Sequence, residues 1–423
     1  MLDVEFIRQN ADVVRQGAVN KGEKVDVDAF LALDAQRRGL MTKVETLRGE
    51  RNANSKKVAE LKKAGGDADE FIVRTREISD EIKSIEHDLS GLDEQFSALL
   101  LTFPNMPAED VQVGRNEDDN VEIKRWGERV TFDFEPKDHC EIAKDLDIID
   151  FERATKIAGT FFALYKGAGA RLERALISFM LDLHTTEHGY REVSPPFVAC
   201  RKAATGTGQL PKLEEDMYRC DVDDLFLIPT AEVPVTNIHR EEMLDAGELP
   251  IQYTAYTPCF RREAGSYGRD TRGLMRLHQF DKVELVKFVR PEGSYDELEK
   301  LLANAETVLQ MLGIEYRVLR LCMGELSFAA AKCYDIEIWA PGIERWLEVS
   351  SCSNFEDFQA RRSGIRFKEK GGKPQFVHTL NGSGVALARL VLVIIEQYQT
   401  ADGTIRVPDA LKPYMGGTEI IGE

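Results

Sequence analysis

Two heptad runs near the start of the chain constrain its fold more than any other feature. From Phe30 onward apolar residues fall at alternating steps of three and four, at Phe30, Leu33, Leu40, Val44, Leu47, Val58 and Leu61, the spacing that lines up side chains along one seam of a helix. The same phase passes through Arg37, Arg51 and Asn54, polar interruptions that lower stability but set register. Ala64-Gly65-Gly66-Asp67 breaks the run, as paired glycines should. A second seam follows at Phe71, Ile78, Ile82, Ile85, Leu89, Leu92, Phe96 and Leu99, and Phe103-Pro104-Asn105 stops it. Two seams joined by a short turn predict an antiparallel hairpin of helices, each about 50 Å long at 1.5 Å per residue. That exceeds the width of most single domains, so the pair is expected to project as an arm. Ahead of it the spacing predicts a short helical lead-in with Phe6, Ile7, Val13 and Val14 on one side.

Periodicity alone allows a spacer or a dimerisation rod. Charge discriminates between these and a binding role: Lys43, Arg48, Arg51, Lys56, Lys57, Lys62 and Lys63 gather on the distal half of the first helix. The chain otherwise carries a formal net charge of -18 with a pI near 5.0. Such a balance argues against a protein that coats nucleic acid indiscriminately, and a local basic patch within it is an electrostatic footprint for phosphates.

A chain of 423 residues has room for two or three domains and a core large enough for an enzyme. Its seven cysteines show no Cys-x-x-Cys pair and fit a reducing compartment. Met1-Leu2-Asp3-Val4-Glu5-Phe6 lacks the basic start and apolar run of a signal peptide, and no apolar run approaches membrane-spanning length. A cytoplasmic protein with no membrane partner is the expectation. Residues 104–140 mix Pro, Gly, Asn and Asp and are expected to be a linker and the approach to a second domain. Ile157–Lys166 reads as a strand, followed by a helix over Arg171–His188 and a strand through Val193 toward Pro195-Pro196-Phe197-Val198. Strands at Thr254–Phe260 and Met275–Phe288 predict a long hairpin. Its polar middle carries Arg261, Arg262, Arg269 and Arg272 among glycines, the composition a backbone needs to approach a polyphosphate while planar forks neutralise its oxygens. The same loop could also be a solvated surface tip.

In combination these pieces become specific. The helix running into a proline-bearing strand, the hairpin opening Phe260-Arg261-Arg262-Glu263, and the turn Asn381-Gly382-Ser383-Gly384-Val385-Ala386-Leu387-Ala388-Arg389 resemble motifs 1, 2 and 3 of class II aminoacyl-tRNA synthetases, in the expected order. With Gly206-Thr207-Gly208-Gln209-Leu210-Pro211, Pro229-Thr230-Ala231-Glu232, the stretch from Glu263 to Glu284 and the two-helix arm, nearly the whole chain resembles the seryl-tRNA synthetase family, bacterial type.

That resemblance implies an α+β protein. An N-terminal antiparallel coiled-coil arm at residues 1–103 and the linker at 104–140 precede a class II catalytic domain at 141–423, with a mainly antiparallel sheet flanked by helices. It implies a serine–tRNA ligase that forms seryl-adenylate from L-serine and ATP with Mg2+ and then charges tRNA(Ser), with tRNA(Sec) as a further substrate. It also implies a homodimer with tRNA bound across the subunits by the arm, through the seven basic residues named above. In the site, Arg261, Glu348 and Arg389 are implied as the catalytic groups. Arg261 would hold the α-phosphate and Arg389 the γ-phosphate, with Arg389 also facing the adenine opposite Phe280. Glu263 meets the adenine end, and Arg262, Arg276, Val349 and Ser350 complete the nucleotide set. Glu348 and Ser351 are the implied magnesium ligands, hard oxygens suited to that ion. Thr230, Ala231 and Glu232 gather the amino end of serine, while Glu284 and Ser383, supported by Asn381, surround its hydroxyl. Two other readings stay open at this point. One is an activator of the same fold that loads a carrier protein, which would not need the basic arm. The other is a silent coiled-coil interaction protein, against which the intact Arg261, Glu263, Glu348 and Arg389 speak.

Overall fold

The computed structural model describes residues 1–263 and 272–422. The chain divides into two compact units, Met1–Val19 with Glu23–Pro104, and Asn20–Gly22 with the chain from Asn105 onward.

In the first unit, helices α1 (Val4–Gln9) and α2 (Ala11–Asn20) lead into the long pair α3 (Val27–Lys63) and α4 (Asp69–Leu100). Asp26 opens α3 by accepting the Ala29 N–H at 2.8 Å, which satisfies one of the donors a helix start leaves unpaired. The seam forms where the heptads put it: Val44, Leu47, Ile78, Ile82 and Ile85 bury together with Leu40 and Leu89 against them. Toward the open end of the pair, Phe30 stacks on Phe96 at 4.9 Å and meets Phe103 in a tilted contact at 5.2 Å. Arg37, an expected interruption, ion-pairs with Asp93 across the seam and lays its guanidinium 5.1 Å over Phe96. The polar seam residue is thereby both paired and stacked. In the lead-in, Ile7 and Val14 are buried but Phe6 and Val13 face outward. The single expected face is corrected because the helix breaks at Asn10, whose N–H returns to the Phe6 carbonyl, and the second helix starts in a new phase.

In the second unit, among the described residues, eight strands form the main sheet: β1 (Val121–Trp126), β2 (Arg191–Glu192), β3 (Ile251–Phe260), β4 (Gln279–Val289), β5 (Tyr316–Arg320), β6 (Lys332–Ala340), β7 (Arg345–Asn354) and β8 (His378–Ala386). Their order is β1-β5-β6-β7-β8-β4-β3-β2. Every neighbour is antiparallel except β2 on β3. The stretch expected as linker thus supplies the edge strand β1, whose residues 121–126 are all exposed along the rim. Ile157–Lys166, expected as a strand, is corrected too. Asp150 caps a helix over Phe151–Ala158, Gly159 ends it at φ +94°, and only an isolated bridge from Ile149 to Tyr165 remains of strand pairing there. The second limb of the hairpin begins at Gln279, not Met275, because residues 274–277 run in turns before pairing starts.

Helices α5 (Gly167–Thr186), α6 (Ser294–Met311) and α7 (Leu387–Gln397) cover one face of this sheet. Strand alternation then sorts β4. Val283, Leu285 and Val289 enter the core under the helices, whereas Phe280, Lys282 and Glu284 face the other way. The same alternation explains Asn381-Gly382-Ser383-Gly384 on β8. Asn381 and Ser383 face away from the helices. A Cβ on Gly382 would come within 2.9 Å of Cys352 Sγ and 3.2 Å of Leu301 on α6, and one on Gly384 within 2.8 Å of His184 on α5. Glycine is needed wherever a helix lies that close. No helix among the described residues is long and apolar enough to cross a membrane.

Candidate active site

The face of the sheet opposite the helices carries a cleft of about 600 Å³. One end is built on the hairpin and on the turn into α7. Arg261 follows the last residue of β3, with its N–H on the His278 carbonyl at 2.9 Å. Its guanidinium sits 5.2 Å from the ring of Phe280 and its Nε donates to the Pro229 carbonyl at 3.4 Å. Glu263, in the left-handed region at φ +50°, accepts from Arg276 Nε at 2.6 Å. Arg389, in the first turn of the buried α7, donates from Nη1 to the Glu348 carbonyl at 2.6 Å and from Nε to the Met275 carbonyl at 3.2 Å, with the Glu348 carboxylate 3.6 Å away. One rigid helix start therefore ties β7 to the hairpin's returning limb.

The other end is polar and buried. Glu284 Oε2 accepts the Thr230 hydroxyl at 3.1 Å and contacts the Lys282 ammonium, which also donates to Thr230 Oγ1 at 2.8 Å. Ser383 lies directly across the ladder from Glu284. Glu232 accepts from Gln359 at 2.6 Å and from Gln209 at 3.4 Å. Between the ends, Glu348 and Ser351 of β7 and Asp335 of β6 line the floor, with Ser351 Oγ 3.1 Å from Cys333 Sγ.

Burial acts on these acids. Asp335 is pushed well above the usual carboxylate range by burial and by the Glu348 charge. Glu284 is raised by burial against the opposing pull of Lys282. Glu232 is raised from 4.5 to about 7, by burial first and by Glu284 second. The folded state therefore keeps a proton on Glu232 that the unfolded chain gives up above pH 4.5. Its stability cost is absent below pH 4.5 and grows as pH rises to 7. Glu232→Gln is expected to stabilise the protein by about 2 kcal/mol at pH 8 and to leave it unchanged at pH 4.5, as read by denaturant unfolding. A gain of equal size at both pH values would contradict this.

Most of the residues implied by sequence meet here: Arg261, Glu263, Arg276, Phe280, Glu348, Val349, Ser351 and Arg389 at the first end and floor, and Thr230, Glu232, Glu284, Asn381 and Ser383 at the second. Three do not. Arg262 is exposed and outside the cleft lining, with its backbone N–H on the Asp216 carbonyl. Ala231 is fully buried at the start of the short helix Glu232–Thr236. Ser350 points into the sheet and donates to the Ser383 carbonyl at 2.7 Å. Arg272 pairs with Asp138 at 3.4 Å, and Arg269 lies outside the described residues. Sequence reasoning passed over Lys282, Gln209 and Asp335. Lys282 was legible, two residues from both Phe280 and Glu284 on one strand face. Asp335 and Gln209 come from other elements and carry no local signal.

On the arm, Lys43 and Arg48 bind Glu81 and Glu86 of the facing helix at 2.8 Å and 2.7 Å. Lys57 lies 5.3 Å over the ring of Phe71. Among the described residues Arg51, Lys56, Lys62 and Lys63 form no ion pair.

Comparison with known proteins agrees with this geometry. Residues 216–398 match the class II tRNA synthetase core domain (G, H, P, S and T), and residues 1–107 match the seryl-tRNA synthetase N-terminal domain. The chain is 56% identical to a serine–tRNA ligase of Geotalea uraniireducens, with all of both chains covered. The chain belongs to the seryl-tRNA synthetase family. A Listeria welshimeri serine–tRNA ligase is 55% identical, covering 100% of this chain and 99% of that one. Among solved structures, seryl-tRNA synthetase of Pyrococcus horikoshii complexed with ATP superposes with a TM-score of 0.93 at 37% identity, over 100% of this chain and 99% of that one. The cytoplasmic serine–tRNA ligase of Naegleria fowleri in complex with AMP gives 0.88 at 29%, over 100% and 98%. The seryl-tRNA synthetase fold accounts for both compact units of the chain.

Proposed function

We propose that this chain is a serine–tRNA ligase of protein biosynthesis, activating L-serine with ATP to seryl-adenylate and transferring the seryl group to tRNA(Ser). The observation that carries this reading is one cleft with arginines and an aromatic ring at one end and a buried, hydrogen-bonded carboxylate set at the other. Adenylate formation needs the serine carboxylate held in line with the α-phosphorus and the growing negative charge met by fixed donors. Arg261 suits the α-phosphate and Arg389 the γ-phosphate, each anchored by backbone carbonyls. Phe280 offers the adenine a stacking face once Arg261 leaves its ring for phosphate, and Glu263 with Arg276 borders that end. At the other end Glu232 takes the ammonium, and Glu284 with Ser383 and Asn381 takes the hydroxyl. Thr230 acts through Glu284, to which its hydroxyl is committed.

The donor set also fits magnesium. Glu348 and Ser351 offer hard oxygens on one floor beside Asp335, whose burial leaves room for charge compensation. Among the described residues no group of three His, Cys, Asp or Glu side chains converges to cage a metal alone, as suits an ion completed by phosphate oxygens. When bound there, magnesium would supply Lewis-acid neutralisation of the phosphates. Residues 1–103 form the tRNA-binding domain and residues 141–423 the catalytic domain in this reading, the arm meeting tRNA by backbone and shape. The proposal includes a homodimer with tRNA spanning both subunits, a cytoplasmic location and tRNA(Sec) as a second substrate. The match of residues 1–107 supports tRNA over a carrier protein as the acceptor.

Serine-dependent exchange of pyrophosphate into ATP is expected, with alanine far poorer because a site built to hydrogen-bond a hydroxyl rejects the ligand lacking it, and threonine poorer because its extra methyl must meet the wall of the site. Folded protein that exchanges no pyrophosphate with serine would sink the reading.

A further inference from the structure

Glu284 faces the cleft with its two oxygens in different situations. Oε2 is taken by the Thr230 hydroxyl and by Lys282, while Oε1 accepts no hydrogen bond from a described residue. Thr230 Oγ1 accepts from Lys282 at 2.8 Å and from the Glu232 N–H at 3.2 Å, so its own hydrogen is left for Glu284. The ammonium is thus what orients the hydroxyl, and the two together orient the carboxylate. Lys282 is itself buried and lines the cleft between Phe280 and Glu284. A buried lysine is costly unless paired, and here its partners are two groups of the amino-acid end.

We propose that Lys282 is a specificity-determining positioning residue: by holding Glu284 Oε2 and Thr230 Oγ1 together it leaves Oε1 as the one acceptor presented to the hydroxyl of the amino acid. This rests on the proposed serine activation and adds to it the residue that fixes the acceptor. Lys282 need not touch the ligand. Its charge also pulls against the burial that raises the Glu284 carboxyl. The groups facing Glu284 are Lys282 on its own strand, Thr230 from the segment before the short helix and Glu232 from that helix's first residue, Cys259 and Arg261 from β3 and its end, Ser383 from β8, and Cys352 from β7. Of these, Lys282 is the cation in direct contact.

The experiment is pyrophosphate exchange from pH 5.5 to 9 on the full-length wild type, K282M and K282R, with ATP affinity measured separately by a fluorescent ATP analogue. For K282M, kcat/KM for serine is expected to fall by about 30-fold or more at pH 7. The acid limb of its pH profile should move upward by about one unit or more, because a carboxyl deprived of its cation ionises later. Binding of the ATP analogue should stay within about twofold, which separates this loss from general misfolding. K282R keeps the charge, so its acid limb should stay in place. Its planar fork cannot hold both oxygens in the same geometry, so KM for serine should rise about tenfold. An unmoved acid limb and unchanged serine KM in K282M would overturn the proposal. Should K282M fail to fold, a wild-type serine KM in K282R would overturn it equally. Wild-type protein without serine-dependent exchange defeats instead the activity on which the inference rests.

Discussion

Arg389→Ala is expected to lower kcat for serine-dependent pyrophosphate exchange by about 1000-fold, the upper end of what removing one preorganised donor from a site of charge development costs. The reason is where the residue sits. α7 is buried along nearly its whole length, from Leu387 to Gln397, so the helix start cannot shift to compensate. The guanidinium spans from the Glu348 carbonyl on β7 to the Met275 carbonyl on the hairpin's returning limb, which sets its direction before any ligand arrives. No lysine can hold both carbonyls and still present charge, so Arg389→Lys should recover less than a tenth of the activity. Stability should change little, because the partners are carbonyls that water can reach once the partly exposed side chain is gone. The Tm of both variants should stay within a few degrees of wild type, and KM for serine within about threefold. A kcat within tenfold of wild type for Arg389→Ala would remove this residue from the chemistry.

What sequence revealed about this molecule followed how local its signals were. The arm was legible almost residue by residue because a heptad is a pattern within one helix, and the buried Val44, Leu47, Ile78, Ile82 and Ile85 are the seam the spacing predicts. The arginine end of the cleft was legible because Arg261, Glu263, Phe280 and Arg389 lie in short motifs. The buried carboxylate end was only half legible: Glu284 and Ser383 oppose each other through strand register, and Gln209 and Gln359, like Asp335 on the floor, arrive from segments distant in the chain. Arg262 and Ser350 fall outside the cleft lining although their neighbours are in it. A contiguous motif names adjacent residues together, but on β7 strand alternation sends Ser350 and Ser351 to opposite sides. Residues 121–126 hid as linker because the alternation of Val121-Glu122-Ile123-Lys124 is only four residues long and lies between turn-rich segments, and Ile157–Lys166 looked like a strand because a short helix and a loop rich in aromatics share its composition.

Replacing the distal arm, residues 41–88, with a short Gly-Ser turn is expected to leave serine-dependent exchange within about threefold of wild type while lowering tRNA aminoacylation by roughly 1000-fold, the scale set by losing a patch of phosphate contacts. The deletion retains Phe30, Phe96 and Phe103, which pack together, so the stubs of α3 and α4 keep their own core. It leaves every cleft residue in place, since these all lie beyond residue 200. Point substitutions sharpen the test. Lys43 and Arg48 are spent on Glu81 and Glu86, so Lys43→Gln or Arg48→Gln should cost mainly arm stability. Arg51, Lys56, Lys62 and Lys63 form no ion pair among the described residues, so each replacement by Gln should weaken tRNA binding and lower the slope of its salt dependence by about one. Equal losses of exchange and aminoacylation on removing the arm would mean that it supports the catalytic unit and does not act as a separate grip on the tRNA.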